Sequence, residues 1–245
     1  MLRLIFNSIF SAFIKYECVA CDIEHSRENP LCGDCQRKIG AIDQNTVCKK
    51  CGRYCLADIC YFCITNPPLF TKAYTYCVYD DISSATIKSF KYHNNTRCMN
   101  FIAHKMAMLL WKHNSTIDYI TCVPMNGLKE YIKGYNHSGK IAKVIAKEIN
   151  TVFLPSLLKR KLSFKRQAVS SRSERFKNID GSFKVVQRGK VEGKAVLLID
   201  DTITTGATAN ECAKVLFEAG ASAVIVLTFA KSIKDEENLR LTYNR

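Results

Sequence analysis

The sequence predicts an α/β protein in which an open parallel sheet follows a cysteine-rich metal-binding module. From Phe70 onward, short apolar or β-branched segments alternate with segments of helical periodicity. Strand–helix alternation of this kind is typical of parallel sheets. Before Phe70, eight of the nine cysteines between Cys18 and Cys63 stand in C-x-x-C pairs. Because thiolates at that spacing bind metal, the pattern indicates a reducing compartment rather than a disulfide scaffold.

The first sixteen residues predict an amphipathic helix that docks on the rest of the protein. Apolar residues such as Leu2, Ile5 and Ile9 recur at helical spacing. A basic start before a short apolar stretch is also typical of a signal peptide. However, Asn7 and Ser8 interrupt the stretch and no small-residue cleavage site follows it. No apolar run reaches the roughly 18 residues of a membrane span, so none is expected.

The cysteine pairs predict two structural zinc ions. Two C-x-x-C pairs together supply the four thiolates of a tetrahedral zinc site. Sequential pairing closes short loops at little entropic cost, and pairing of the first pair with the third is the alternative. Cys55 is left over and is not expected to be a ligand. The predicted sites are Cys18, Cys21, Cys32 and Cys35, and then Cys48, Cys51, Cys60 and Cys63.

The alternating part is predicted to begin after a stiff break at Pro67 and Pro68. We therefore expect a docking helix over 1–16, a zinc-binding region over 17–66 and the sheet domain over 67–245. Strands are predicted at 73–79, 119–123, 196–199 and 224–229, and helices at 83–92, 97–112, 137–150 and 208–218. Because ligands bind beyond the carboxyl ends of parallel strands, the turns after Val123 and Ile199 are candidate sites.

The turn after the predicted strand 196–199 has the composition of a ribose-phosphate site. Asp200 and Asp201 emerge together with no basic residue beside them, and ribose hydroxyls would be suitable donors to them. A threonine-rich loop with Gly206 then leads into a helix, whose N-terminus attracts anions. An ordinary helix cap is the alternative, but capping alone does not explain the acidic doublet. The predicted ligand residues are Asp200, Asp201, Thr202, Ile203, Thr204, Thr205, Gly206, Ala207 and Thr208.

Positive charge is concentrated in one stretch of the chain. The net charge is +14, and residues 159–194 contain 12 Lys or Arg against only three acids. Such a bias favours polyanions, although a solvated basic loop is the alternative. The residues expected to contact a single-stranded nucleic-acid backbone are Lys165, Arg166, Arg172 and Arg175. Lys129 and Lys133, after the strand ending at Val123, are placed for pyrophosphate.

The segment 196–208, VLLIDDTITTGAT, resembles the 5-phosphoribosyl-1-pyrophosphate (PRPP) motif of type I phosphoribosyltransferases. With Val123-Pro124, Gly134, Asn136 and a downstream set of residues, the chain resembles the ComF family from Cys18 to about Ala230. Lys133 and His137 stand where that family has Arg and Gln. The downstream set is Arg160, Gln167, Ser170, Arg175, Asn178, Gly181 and Phe183.

The resemblance implies that Asp200 and Asp201 bind ribose hydroxyls and that residues 202–208 surround the 5-phosphate. With Mg²⁺, the PRPP pyrophosphate would contact Lys129, Lys133, Arg160 and Arg175. It also implies a cytoplasmic competence protein, in part peripheral at the inner membrane, that acts in DNA uptake with a helicase and recombination proteins. An active phosphoribosyltransferase of nucleotide salvage or synthesis, and a PRPP-sensing regulator without turnover, are the alternatives.

Overall fold

The computed structural model describes residues 15–25, 28–113, 116–125, 135–161 and 180–232. The helix predicted over 1–16 therefore lies almost entirely outside the described residues, and Tyr16 itself begins a short strand. The strands are β1 Tyr16–Glu17, β2 Glu24–His25, β3 Lys72–Val78, β4 Tyr119–Cys122, β5 Val152–Phe153, β6 Leu158–Arg160, β7 Phe183–Val185, β8 Ala195–Ile203 and β9 Ala223–Lys231.

A five-stranded sheet in the order β3-β9-β8-β4-β5 forms the centre of the protein. Every neighbouring pair in it is parallel, which confirms the predicted open parallel sheet. The central strand β8 carries the apolar run 196–199, and all four of these side chains are fully buried. A strand covered on both faces needs this uninterrupted apolar sequence.

The strand β8 is longer than the sequence predicted. Its ladder with β9 continues past Ile199 to the pair Ile203–Lys231. Asp200 and Asp201 therefore belong to the last part of the strand rather than to a loop, and as strand neighbours they point to opposite faces. The prediction of a strand ending at residue 199 was wrong, because pairing with β9 outweighs the polarity of the acidic residues.

The helices are α1 Gly33–Lys38, α2 Tyr61–Thr65, α3 Asp81–His93, α4 Thr96–His113, α5 His137–Glu148 and α6 Ala207–Glu218. Helix α3 begins two residues earlier than predicted. The Asp80 carboxylate accepts a hydrogen bond from the Ser83 backbone N–H, and the Ser83 hydroxyl accepts one from the Asp80 N–H. Such a reciprocal cap satisfies two helix-terminal donors and fixes the start of the helix.

Two cores lie on the two faces of the sheet. One core packs α3, α4 and α5 against Leu197 and Ile199, and it includes Cys18, Cys32 and Cys35. The other packs α6, β6 and β7 against Val196 and Leu198, and it includes the cysteines at 48, 51, 60 and 63. The cysteine-rich region thus contributes to both cores instead of standing apart from the sheet.

The same region covers the edge strand β3. The Val78 N–H donates to the Gly40 carbonyl, and the Ala73 N–H donates to the Lys50 carbonyl. Between these points, an isolated antiparallel bridge joins Ala41 to Cys77. Because an uncovered edge exposes unpaired backbone groups to other chains, this cover protects the sheet from edge-to-edge association.

Candidate ribose-phosphate and metal sites

The carboxylate of Asp201 is held by two partners. Its Oδ2 lies 2.6 Å from the Lys91 ammonium nitrogen, and its Oδ1 accepts a hydrogen bond of 2.9 Å from the Thr202 hydroxyl. Asp201 is only 7% exposed. The sequence has no basic residue next to the acidic pair, and the structure supplies one from a distant segment. Lys91 lies on α3, far away in the sequence, and no local pattern indicates the contact.

Asp200 lies on the opposite face and has less positive charge around it. One carboxylate oxygen accepts a 2.9 Å hydrogen bond from the Ser138 hydroxyl, at the N-terminus of α5, and another from the Asp201 N–H. Burial, followed by the charge of Asp201, raises the pKa of Asp200 to about 7. Near neutral pH its negative charge is therefore only partly compensated, and hydroxyl donors or a cation would stabilise it.

The loop that follows the acidic pair is shaped to approach an anion. Gly206 adopts a left-handed conformation with φ of 79°, which suits glycine, and helix α6 begins at the next residue. No side chain caps the helix from Gly206, although the Thr205 hydroxyl accepts a 3.3 Å bond from the Ala207 N–H. The N-terminal backbone donors of a helix attract phosphate. The structure thus places residues 202–208, which the sequence singled out, at the carboxyl end of β8.

The basic residues predicted from the sequence fall mostly outside the described part of the chain. Lys129, Lys133, Lys165, Arg166, Arg172 and Arg175 lie there, with Gly134 and the other residues of the resemblance at 167, 170 and 178. Arg160 is described, at the end of β6, with its guanidinium carbon 5.6 Å from the Phe183 ring centre. Just before β7, the Gly181 N–H donates a 2.7 Å hydrogen bond to the Glu211 carboxylate on α6. Arg160 and Phe183 of the basic segment thus contact each other, and Gly181 is bonded to the helix α6 that follows the 202–208 loop.

A cavity of about 800 Å³ lies beside the 202–208 loop, and the sequence did not predict it. The residues that line it come from that loop, from the region of the second cysteine group, from the break at Pro67 and Pro68, and from the end of β9. Its size is that of a typical small-molecule site. Residues from distant parts of the chain form it, so only the tertiary structure reveals it.

The cysteines assemble into two clusters by the sequential pairing. The first cluster consists of Cys18, Cys21, Cys32 and Cys35, and the second of Cys48, Cys51, Cys60 and Cys63. Within each cluster all four sulfur atoms lie within 4.8 Å of one another. Two cross-pair sulfur distances, Cys21–Cys32 and Cys51–Cys60, are both 3.7 Å. A tetrahedral zinc with bonds of about 2.3 Å requires sulfurs about 3.8 Å apart, so both clusters could hold such an ion.

Backbone donors favour the thiolate at one cysteine of each cluster, whereas burial raises the pKa of Cys35 and Cys63. Burial opposes ionisation of Cys18, but hydrogen bonds from the backbone of Cys32 and other residues outweigh it and lower its pKa to about 7. Burial likewise opposes ionisation of Cys48, and backbone hydrogen bonds, first from Cys60, lower its pKa to about 7. The Cys60 N–H lies 3.3 Å from the Cys48 sulfur. Because metals bind the thiolate form, these donors prepare the clusters for a cation.

Among the described residues, none of the helices has the length and apolar character needed to cross a membrane.

Comparison with curated proteins finds relatives over most of the chain, although no protein-family model matches it. Competence protein F of Haemophilus influenzae is 26% identical over 235 residues, which is 90% of this chain and 99% of that protein. The DNA utilization protein YhgH of Escherichia coli K12 is 22% identical, covering 83% of this chain and 91% of that protein. Competence protein ComFC of Bacillus subtilis is 21% identical, covering 86% of this chain and 92% of that protein.

Among solved structures, the chain is similar to glutamine PRPP amidotransferase from B. subtilis, with a TM-score of 0.37 and 25% identity over 53% of this chain and 26% of that one. An adenine phosphoribosyltransferase gives a TM-score of 0.36 and 17% identity, covering 61% of this chain and 77% of that one. Similarity over nearly the whole length of the curated proteins confirms the resemblance seen in the motifs. The chain is thus similar, over most of its length, to curated competence proteins, and it combines a five-stranded parallel sheet with two N-terminal four-cysteine clusters.

Proposed function

We propose that this protein acts in DNA uptake during natural transformation, on the cytoplasmic side of the inner membrane. In this proposal it binds PRPP or a related ribose phosphate and also single-stranded DNA. The observation that carries the ligand proposal is the acidic pair at the end of β8, followed by the left-handed Gly206 and the start of α6. The names of the relatives, two competence proteins and a DNA utilization protein, support the biological role.

In the proposed complex, the two acids bind the ribose hydroxyls and the 202–208 loop surrounds the 5-phosphate. Asp200 is the better placed of the two, because Asp201 is already engaged by Lys91 and Thr202. The raised pKa of Asp200 fits a site that gains stability from a bound donor or cation. A Mg²⁺ ion entering with PRPP would neutralise part of the pyrophosphate charge, and Asp200 is the carboxylate available to face it.

The basic residues have two proposed roles. Lys129, Lys133, Arg160 and Arg175 are assigned to the pyrophosphate. Lys165, Arg166, Arg172 and Arg175 are assigned to the backbone of single-stranded DNA, whose binding depends on cationic side chains. A competence helicase and recombination proteins are the proposed protein partners. Arg160 supports the first role, since it extends from β6 and that ribbon packs next to α6.

The two cysteine clusters are proposed to hold one structural zinc each. Four cysteines complete the coordination shell, so no position remains for a substrate or water. Because the clusters belong to the two cores, zinc would stabilise both faces of the sheet. Metal analysis of the purified chain should find two equivalents of zinc, and Cys55→Ser should retain both. Fewer than two equivalents in this control would place Cys55 among the ligands.

An active phosphoribosyltransferase is the second candidate function, and one observation favours it. The cavity of about 800 Å³ opens beside Thr204, Thr205 and Gly206, where an acceptor molecule could meet a bound ribose phosphate. Release of pyrophosphate from PRPP and Mg²⁺ should be measured with and without each common nucleobase. Base-dependent release would establish the enzyme. Binding without release for every base would favour the competence role without turnover.

Capture of single-stranded DNA at several salt concentrations tests the nucleic-acid role. Neutralising four basic residues in the segment 159–194 should weaken capture and flatten its salt dependence. A control with the same charge change on α3, α4 and α5 should not, because those lysines are exposed and lie outside the segment in the sequence. Equal losses in both variants would mean that the segment 159–194 has no specific role in DNA binding. The test variant replaces Lys165, Arg166, Arg172 and Arg175 with Gln, and the control replaces Lys88, Lys112, Lys143 and Lys147.

A further inference from the structure

The first turn of α4 holds the point at which the N-terminal segment joins the described part of the chain. That part starts at Lys15, and the guanidinium carbon of Arg97 lies 4.7 Å from the centre of the Tyr16 ring. Cys18, two residues further on, belongs to the same core as Cys98 of α4. Residues 1–14 therefore connect to the fold beside the N-terminal end of α4.

The outer face of α4 is apolar and exposed. Arg97, His104, Met108 and Trp111 follow one another at intervals of seven, four and three residues, which places them on one face of the helix. Trp111 is 55% exposed and Met108 is 37% exposed. The centres of the Trp111 and His104 rings are 6.4 Å apart. The face that contacts Tyr16 at one end thus continues to the other end as an apolar surface that the described residues leave open.

Residues 1–14 have the pattern and the length to cover this face. Their apolar residues recur at helical spacing. As a helix they would span about 21 Å, and the stretch of α4 from Arg97 to Trp111 has the same length of about 21 Å. A helix this short is marginal alone in water, so it needs an apolar surface to pack on. The apolar residues are Leu2, Ile5, Phe6, Ile9, Phe10 and Phe13.

Arg97 also offers a polar contact to the end of such a helix. Its Nη1 atom is buried and has no hydrogen-bond partner among the described residues. The last carbonyls of a helix lack partners within the helix, and arginine side chains can donate to them. A helix that ends just before Lys15 would bring its free carbonyls beside Arg97, next to the Tyr16 ring.

We propose that residues 1–14 form a helix that packs antiparallel to α4 on the face of Arg97, His104, Met108 and Trp111. The end of this helix near Leu2 reaches Trp111. A second copy of the chain or a membrane could also cover an apolar face. The N-terminal segment is favoured because its attachment at Tyr16 makes the packing intramolecular, with a high effective concentration.

The fluorescence of Trp111 tests the inference, because the chain contains a single tryptophan. In the full-length parent its emission should lie at short wavelength, and acrylamide should quench it weakly. Replacing both Ile5 and Ile9 with Asp should shift the emission to longer wavelength and strengthen the quenching. The matched control replaces Asn7 and Ser11 with Asp. It adds the same charges at the same spacing on the opposite face of the predicted helix, so it should keep the parent spectrum.

Hydrogen exchange followed by mass spectrometry shows whether any change is local. Amides of residues 2–14 should be protected in the parent and in the control, and should exchange freely in the variant with Asp at 5 and 9. Peptides from α4 should stay protected in all three proteins. This measurement decides the question even if the variant unfolds, since free exchange of residues 2–14 in the parent would overturn the inference.

Dilution and lipid vesicles separate the three possible occupants. Packing within one chain predicts the same short-wavelength emission at every protein concentration, with no change when vesicles of anionic phospholipid are added. Emission that moves to short wavelength only at high concentration would assign the face to a second copy, and a move only with vesicles would assign it to a membrane. Either result, or equal spectra in the parent and the variant with Asp at 5 and 9, would overturn the inference.

Discussion

Replacing Asp200 with Asn should stabilise the folded protein above neutral pH while weakening its affinity for ribose phosphate. The Asn side chain has nearly the same shape, and its oxygen can still accept the bonds from the Ser138 hydroxyl and the Asp201 N–H. Only the negative charge is lost. Stability and ligand affinity should therefore change in opposite directions, which a general folding defect cannot produce.

The magnitude follows from the pKa of Asp200, which burial and the charge of Asp201 raise from 3.8 to about 7. Between these values the folded state keeps a proton that the unfolded state has released, so stability falls as the pH rises. At about 1.4 kcal/mol for each pKa unit, the ceiling is about 4 kcal/mol. Asp200 is only partly buried, so solvent screens part of this cost. We expect a gain of about 2 kcal/mol for Asp200→Asn above about pH 7.

Urea unfolding followed by circular dichroism, between about pH 5.5 and pH 8, measures the effect. The advantage of Asp200→Asn should grow with pH and level off above about pH 7. Asp118→Asn is a control at the other end of β8, and it should lower the stability of the folded protein instead of raising it. The Ala195 N–H and the Lys194 ammonium lower the pKa of Asp118, so its charge is favourable. An Asp200→Asn variant that is no more stable than the parent above neutral pH would refute the reasoning.

Three further predictions concern the neighbouring groups. Lys91→Met should destabilise the fold by about 2 kcal/mol, because it leaves a poorly exposed carboxylate unpaired, and adding Asp201→Asn should recover most of that loss in a double-mutant cycle. Gly206→Ala and Gly193→Ala should each cost about 1 kcal/mol in thermal unfolding, since both glycines have positive φ, but only the first should weaken PRPP binding in calorimetry. Cys48→Ser should reduce the zinc content from two equivalents to one in metal analysis, and retention of both would contradict the assignment of the second cluster.

Local chemistry explains why part of the fold could be predicted from the sequence. The apolar run at 196–199 is typical of a strand buried on both faces, and the structure places it at the centre of the sheet. The C-x-x-C spacing brings each pair of sulfurs to one side of a turn, and short loops favour sequential pairing. Gly206 was expected to allow a close approach to the backbone, and its left-handed conformation fits that role.

Contacts between distant segments account for what the sequence did not predict. Lys91 reaches Asp201 only because α3 packs beside the end of β8. The strand β8 extends to Ile203 because β9 provides a continuous ladder. The cavity needs α2, the 202–208 loop and Lys231 at the same place. None of these contacts has a signature at a fixed spacing, so periodicity and motif arguments cannot reveal them.

Calorimetric titration of PRPP with Mg²⁺ into the zinc-loaded parent and into Asp200→Asn tests the ribose-phosphate assignment most directly. We predict saturable binding at one site in the parent and an affinity at least about tenfold lower in the variant, equivalent to about 1.4 kcal/mol. Because the variant should be the more stable protein, such a loss could not come from unfolding. Equal affinities in the two proteins, or no binding to the parent, would contradict the account.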